Sequence, residues 1–528
     1  MGIPSYFNQI VKKNSDILKR LNNFKKQINN LYFDSNSIIY DALINIQKDY
    51  ETIGSDSKFE DILIEAVCKK IKSYILELRP NKKVFITFDG VAPVAKLEQQ
   101  RTRRYKSTME QNIKKKLFGD KNVWNKTAIT PGTKFMDKLN KSVAKYFKNK
   151  EKTLGLEKIM FSGSNEPGEG EHKLFSYIRD HPNVHSKEVT VVYGLDADLI
   201  MLCLNHLRIS KQIYLYRENM DKDQTFIMDI PLLAQRIIYD MNNNKKPTTQ
   251  QQVNRLYDYI FLCFFLGNDF LPHFPSVNIR TRGIEILFNA YKHLFGKTNQ
   301  NLSNGTTIFW GNVKKFIKFL SVNEHENLRE EYKIRDKWER RKISFDKSED
   351  EKKMERYLNI PTKNREIEKY IDPYNSLWHN RYYETLFHSD NTFEFRKAIS
   401  INYMEGLEWV MNYYTKGCID WGWKYKYHYP PLLWDLVKFV PHFNMKMIKE
   451  NNNSPVDSNV QLAYVLPKES VCLITNPKIK KFMEDKWHEN ENKGKLVWAF
   501  CKYIWESHVN LPHLDIEELK QLHLSPSS

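Results

Sequence analysis

The sequence predicts an α/β fold: a mostly parallel central sheet flanked by helices, with a second, largely helical and aromatic-rich region packed against it. Three observations carry that expectation. Short apolar runs at residues 31–33, 84–88 and 189–193 each deliver an aspartate just past their C-terminal end: Asp34, Asp89 and Asp196. Helix-period patterns such as residues 59–78 lie between the runs, and alternating β and α elements give a parallel sheet. Near Asp372 the composition turns aromatic, from Trp378, Tyr382 and Tyr383 through Trp409, Tyr413 and Tyr414 to Trp421, Trp423, Tyr425, Tyr427 and Tyr429. The expected division is a core carrying the acidic residues over 1–300, a charged helical insertion over 301–371 and a closing region over 372–528.

Parallel strands bring their C-terminal ends to one edge, where open α/β sheets place their sites. Asp34 and Asp89 should therefore converge. One aspartate at a strand end often only caps the next helix; three such ends argue for a site. After Asp89, the turn Gly90-Val91-Ala92-Pro93 leads into a helix predicted to start near Pro93. Lys96, Gln100, Arg103 and Arg104 share one face of it at i, i+4, i+7 and i+8. That face can hold an anionic phosphate, arginine as a planar fork and lysine as a point charge. Basic exposed helices are common; the position directly after a site aspartate favours phosphate. The Lys- and Asn-rich residues 106–126 read as a solvated excursion.

Residues 161–202 hold the densest signal. Glu169 and Glu171 lie in a Gly-rich turn that enters a helix at His172, and Asp196 and Asp198 follow the strand at 189–193. Carboxylates this close resist ionising together. A divalent cation such as Mg²⁺ or Mn²⁺, which takes hard oxygen ligands, removes the conflict. A single acidic pair in a loop is usually solvated surface; two pairs at the ends of apolar elements point to metal.

Residues 242–252 read as a polar linker. The apolar run 260–266 ends at Gly267-Asn268-Asp269, and its periodicity does not separate strand from helix. Residues 324–357 mix both charges densely and read as an exposed, projecting helix without chemistry. Around Trp421 and Trp423 the aromatics interleave with Lys424 and Lys426. A base-stacking platform and an aromatic turn in the core both fit that pattern.

The net charge of +18, from 82 Lys and Arg against 64 Asp and Glu, suits a polyanionic partner. A basic surface around a carboxylate cluster fits metal ions held against a phosphodiester. The six cysteines are scattered without CxxC spacing, so neither a zinc site nor a disulfide framework is expected, and a reducing compartment fits. The N-terminal segment lacks the apolar core of a signal peptide, and Tyr6 stands where myristoylation needs Ser or Thr. The longest apolar run, residues 259–266, is too short for a bilayer, so no membrane association is expected.

The stretches MGIPSYF, YFDSNSIIY, FDGVAPVAKLEQQRTRR, PGEGEHKL, GLDADLIML and FLGNDFLPH resemble, in order and spacing, the first conserved region of the Xrn-type 5′→3′ exoribonucleases. EGLEWVMNYYTKGCIDWGWKYKYHYPP resembles the second. The resemblance runs over nearly the whole chain. It implies a 5′-nuclease or PIN-like core with two Mg²⁺ ions, for which Mn²⁺ can substitute. Their ligands would be Asp34, Asp89, Glu169, Glu171, Asp196, Asp198 and Asp269, all present. It also implies a pocket for an RNA 5′-monophosphate at Lys96, Gln100, Arg103 and Arg104. The family typically has a histidine six residues after the first aspartate; this chain has Tyr40. A tyrosine keeps a stacking face but loses the titratable nitrogen. The implied stacking partner is Trp421 or Trp423.

The implied activity is processive 5′→3′ hydrolysis of single-stranded, 5′-monophosphorylated RNA to nucleoside 5′-monophosphates. The expected partners are that RNA and decapping or RNA-processing proteins, the expected state a cytoplasmic monomer and a minimal catalytic unit. A flap-type 5′ nuclease and a non-catalytic RNA-binding scaffold are the rival readings.

Overall fold

A seven-stranded sheet positions the acidic residues. In chain order its strands are β1 (Leu18–Arg20), β2 (Asn30–Asp34), β3 (Lys83–Thr87), β4 (Lys158–Ser162), β5 (Thr190–Tyr193), β6 (Ile213–Asn219) and β7 (Gln224–Met228). The computed structural model describes residues 3, 5–119, 123–219, 224–243, 245–246, 248–343, 346–451, 453–489 and 495–525.

The spatial order is β1-β7-β6-β5-β2-β3-β4. The pairs β2–β3, β2–β5, β3–β4 and β5–β6 are parallel; β6–β7 and β1–β7 are antiparallel. The chain steps from β2 through β3 to β4 on one side, then returns to lay β5 on the other side of β2. That reversal is the switch point at which open α/β sheets bind ligands. Register pairs Phe33 with Tyr193, Asp34 with Thr87 and Thr87 with Ser162, so the C-terminal ends finish level.

Both faces of the sheet are covered. Leu31, Phe33, Val84, Ile86, Val191 and Tyr193 face one apolar cluster, and Tyr32, Phe85 and Val192 face another. Burial on both sides is why these strands read as unbroken apolar runs.

The helices that matter here are α1 (Asn36–Ile46), α2 (Asp56–Leu78), α3 (Val94–Phe118), α4 (Gly170–Asp180), α5 (Asp198–His206), α6 (Thr249–Phe264), α7 (Glu324–Arg340) and α8 (Phe393–Thr415). α1 and α2 cover the first face; α4, α5, α6 and α8 belong to the second cluster. The aromatic-rich second region is largely helical and packs on the core, as the sequence predicts. The buried α8 brings Tyr413 and Tyr414 against His172 of α4.

Several local expectations need correction. The run 260–266 is helical as far as Phe264, where α6 ends, so Asp269 comes from the loop after a helix, beyond Gly267 at φ +81°. The excursion expected at 106–126 is a continuation of α3 to Phe118, with Lys114–Leu117 exposed. Thr248 and Gln251 form a capping box, so the linker expected over 242–252 gives way to α6.

Of the charged stretch 324–357, residues 324–340 and 349–357 are helical, and α7 does not project. Leu328, Glu331, Tyr332 and Arg335 of α7 are buried. Arg335 holds Glu368 at 2.8 and 2.6 Å, Arg365 holds the same carboxylate at 2.6 Å, and Arg335 also donates to Cys501 O at 2.7 Å. Composition cannot distinguish charges that pair inside from charges that face water. Among the described residues no helix is long and apolar enough to cross a membrane, and all six cysteines are free thiols.

Candidate active site

The switch-point edge is built from backbone first. Thr87 Oγ1 lies 2.8 Å from Phe33 O and 3.0 Å from Gly170 O, tying β2 and β3 to the turn that starts α4. Gly170 N donates to Asp89 Oδ1 at 2.7 Å, and Asn36 Nδ2 donates to Asp89 Oδ2 at 2.5 Å. A Cβ on Gly170 would stand 2.8 Å from Asp34 Oδ1, so only glycine fits between the two aspartates. Asp196 lies in the turn after β5, whose carbonyls at Leu195 and Asp196 accept from Arg217 of β6.

Glu169 precedes α4 and Glu171 sits in its first turn; Asp198 opens α5. Tyr413 of α8 donates its hydroxyl to Glu169 Oε1 at 2.7 Å. The second region thereby orients a residue of the first.

Lys96 is not placed as a simple phosphate clamp. Its Nζ lies 2.5 Å from Glu169 Oε2 and 2.8 Å from Asp269 Oδ2, and Gln99 Nε2 donates to Asp269 Oδ1 at 3.3 Å. The lysine thus draws the loop aspartate into the strand-end cluster.

Burial, reinforced by neighbouring carboxylates, pushes Asp34 and Glu171 well above the usual range and Asp198 up to about 8. Burial also raises Glu169, against the pull of Lys96. For Asp269, burial is outweighed by Lys96, and its carboxyl is held far below the ordinary range.

The donor set suits hard divalent cations. It consists of clustered carboxylate oxygens, and Lys96 brings one positive charge into their midst. Asp198 Oδ1 is buried without a hydrogen-bond partner among the described residues. Each of the seven predicted acids is thus close enough to feel at least one other, and the arrangement fits metal better than protons at neutral pH.

A cleft of about 520 Å³ places the acidic and basic groups side by side. Asp34, Asp89, Glu169, Glu171 and Asp196 line it, as do Lys96, Gln100, Arg103, Arg104 and Tyr40. Asp198 and Asp269 stand outside its wall. Arg104 is half-buried, and the loss of water around its guanidinium lowers it to about 10; it is anchored by Thr130 Oγ1. Tyr40 is 37% exposed.

The two tryptophans separate. Trp423 is a core residue stacked on Trp409 at 5.2 Å and 24°. Trp421 is half-buried, with its carbonyl accepting from Val94 N at 2.9 Å, at the start of α3. Neither lines the cleft.

Sequence reasoning missed His172, Tyr413, Asn36 and Arg217. His172 follows Glu171 directly, so the run Glu-Gly-Glu-His carried a signal for it. Ligand atoms of Glu169, Glu171 and His172 lie within 4.8 Å of one another. Burial keeps this imidazole neutral, and its ring packs 3.7 Å from that of Tyr413.

Two family models match the chain. The XRN 5′-3′ exonuclease N-terminus matches residues 1–219, and the Xrn1 helical domain matches residues 250–376 and 366–522. Among curated proteins, the 5′-3′ exoribonuclease 2 of Arabidopsis thaliana is 27% identical over 84% of this chain and 57% of its own length. The 5′-3′ exoribonuclease 2 homolog of Drosophila melanogaster is 26% identical over 88% of this chain and 62% of its own length. The 5′-3′ exoribonuclease 1 of Homo sapiens is 27% identical over 88% of this chain and 30% of its own length. The chain spans about three-fifths of the length of the first two relatives.

Proposed function

The chain belongs to the XRN 5′-3′ exonuclease family, and from that membership we propose that it hydrolyses single-stranded RNA from a 5′-monophosphate end, processively, releasing nucleoside 5′-monophosphates. The observation that carries this reading is the single cleft in which five carboxylates face Gln100, Arg103 and Arg104. Asp34, Asp89, Glu169, Glu171, Asp196, Asp198 and Asp269 would hold two Mg²⁺ ions, directly or through water. When bound, such ions supply a hydroxide at neutral pH and stabilise the leaving 3′ oxygen.

The protein's own groups do the rest. Gln100, Arg103 and Arg104 grip the terminal phosphate, and the half-buried, Thr130-anchored Arg104 gives that grip a fixed direction. A clamp at a fixed distance from the carboxylates places the scissile bond one nucleotide in. Lys96 and Tyr413 hold Glu169 from opposite oxygens, so that carboxylate needs little reorganisation. Ser5 and Tyr6 close another part of the cleft wall and limit the size of the 5′ group it admits. Tyr40 offers an accessible ring for the first bases, with Trp421 as the available tryptophan. The division of labour follows the chain: core at 1–300, helical insertion at 301–371, closing region at 372–528.

The test is degradation of a 3′-labelled, 5′-monophosphorylated RNA with Mg²⁺, with chelator, and by Asp196→Asn. Mononucleotide products that vanish under both perturbations support the reading. Discrete internal fragments would place the protein with the flap-type nucleases. Binding without degradation would make it a scaffold.

A further inference from the structure

A second cavity, of about 510 Å³, lies across α3 from the acidic cleft. Ala95, Glu98, Gln99, Thr102 and Lys106 of that helix line it, whereas Lys96, Gln100, Arg103 and Arg104 line the cleft. The two spaces share Ser5 and Arg103. Between them stands the Lys96–Asp269 pair, with Lys96 on the cleft wall and Asp269 on the second wall.

The second cavity has the chemistry of a nucleotide site. Its volume falls within the roughly 300–1,000 Å³ of small-molecule pockets. Tyr427, His428 and Trp505 contribute aromatic rings. Its acidic residues Glu98 and Glu506 are already paired, with Lys424 and Arg280. Lys106 donates to Trp505 O and Ser507 O, both at 2.7 Å, and forms no ion pair with a described residue. Its ammonium is therefore available to an anion.

Gln99, Thr102, Asn268 and His428 add polar side chains, donors and acceptors both, to the wall. A mixture of acceptor, donor and groups able to act as either matches the edge of a nucleobase without demanding one base.

We propose that this second cavity is a product site, binding the released nucleoside 5′-monophosphate with its phosphate on Lys106 and Arg103 and its base among Tyr427, His428 and Trp505. The product would pass Arg103 and leave the cleft free for the next phosphate, rather than retreat past the incoming RNA. The assignment of the ligand as product rests on the proposed exonuclease reading; the cavity's affinity for a nucleotide does not.

The experiment uses the full chain in chelator, so that no RNA is cut. The cleft is first saturated with a short 5′-phosphorylated RNA, and AMP binding is then measured by equilibrium dialysis. One AMP per chain is expected, weakened at least tenfold by His428→Glu, whose side chain is exposed, and by Thr102→Trp, which fills the cavity from α3. Melting curves identify any variant that fails to fold, and the other then decides. Complete displacement of AMP by the RNA, or unchanged affinity in a folded variant, overturns the proposal. With Mg²⁺ present, AMP should slow steady-state degradation without raising the KM for RNA. If the chain degraded no RNA, the exonuclease reading would fall while the dialysis result still reported on the cavity.

Discussion

Tyr413→Phe isolates the contribution of the second region to the acidic cluster. The substitution removes one oxygen, the donor that lies 2.7 Å from Glu169 Oε1 in a fully buried setting. The ring should stay, because it stacks on Trp409 at 4.7 Å and 18° and packs on His172 at 3.7 Å. A hydrogen bond to a charged group contributes about 1.5–3 kcal/mol. At about 1.4 kcal/mol per tenfold, that is one to two orders of magnitude in any equilibrium that needs Glu169 ionised. Lys96 still holds the other oxygen, so the lower end applies, and the Mg²⁺ concentration for half-maximal activity should rise about tenfold. Maximal rate at saturating Mg²⁺ should fall much less. The assay is a Mg²⁺ titration of RNA degradation, paired with the Mg²⁺-induced shift in melting temperature, which needs no turnover. An unchanged Mg²⁺ dependence in both readouts would refute the coupling of α8 to the metal site.

Gly170→Ala should abolish both Mg²⁺-induced stabilisation and activity, because its Cβ would intrude 2.8 Å from Asp34 Oδ1; retention of either contradicts the packing. In chelator, the raised carboxyls of Asp34, Glu171 and Asp198 bind protons more tightly folded than unfolded, so their stabilisation is present at low pH and lost as pH rises. Melting temperature should therefore fall up to about pH 8, the value for Asp198, and the fall should shrink in Asp198→Asn and with Mg²⁺. The depressed Asp269 acts only below the ordinary carboxylate range and leaves that window alone. Trp423→Ala should cost about 3–5 kcal/mol in a denaturant melt, whereas Trp421→Ala should leave stability nearly intact and weaken RNA binding. Equal stability losses would remove the distinction between the two tryptophans.

The parallel core was legible because strands buried on both faces cannot afford polar residues, so β2, β3 and β5 stand out as apolar runs. β4 sits at the sheet edge with its first residue exposed and the next three half-buried, and its composition carries no such signal. The end of α6 was ambiguous because residues 260–266 are buried all round, which erases helical periodicity. In the site, each acidic residue could be named from its position after an apolar element or from a motif. The depth of Lys96 could not. Helix spacing gives the direction of a face, and only the fold brings Asp269 to it from 173 residues away. The Tyr413–Glu169 contact spans 244 residues and leaves no local trace. Trp421 and Trp423 are adjacent in pattern yet differ in burial, because the chain fixes Trp421 by its backbone and Trp423 by its ring.

The central claim is that one cleft joins a phosphate clamp to a metal-binding carboxylate cluster. It is tested most directly by one RNA, labelled at its 3′ end and carrying a 5′-monophosphate, hydroxyl or triphosphate, incubated with Mg²⁺ and either the parent or Arg104→Ala. The parent should consume the monophosphate form selectively, and Arg104→Ala should lose that preference while keeping its Mg²⁺-induced stabilisation. Equal attack on all three ends by the parent, or undiminished selectivity in Arg104→Ala, would contradict the account.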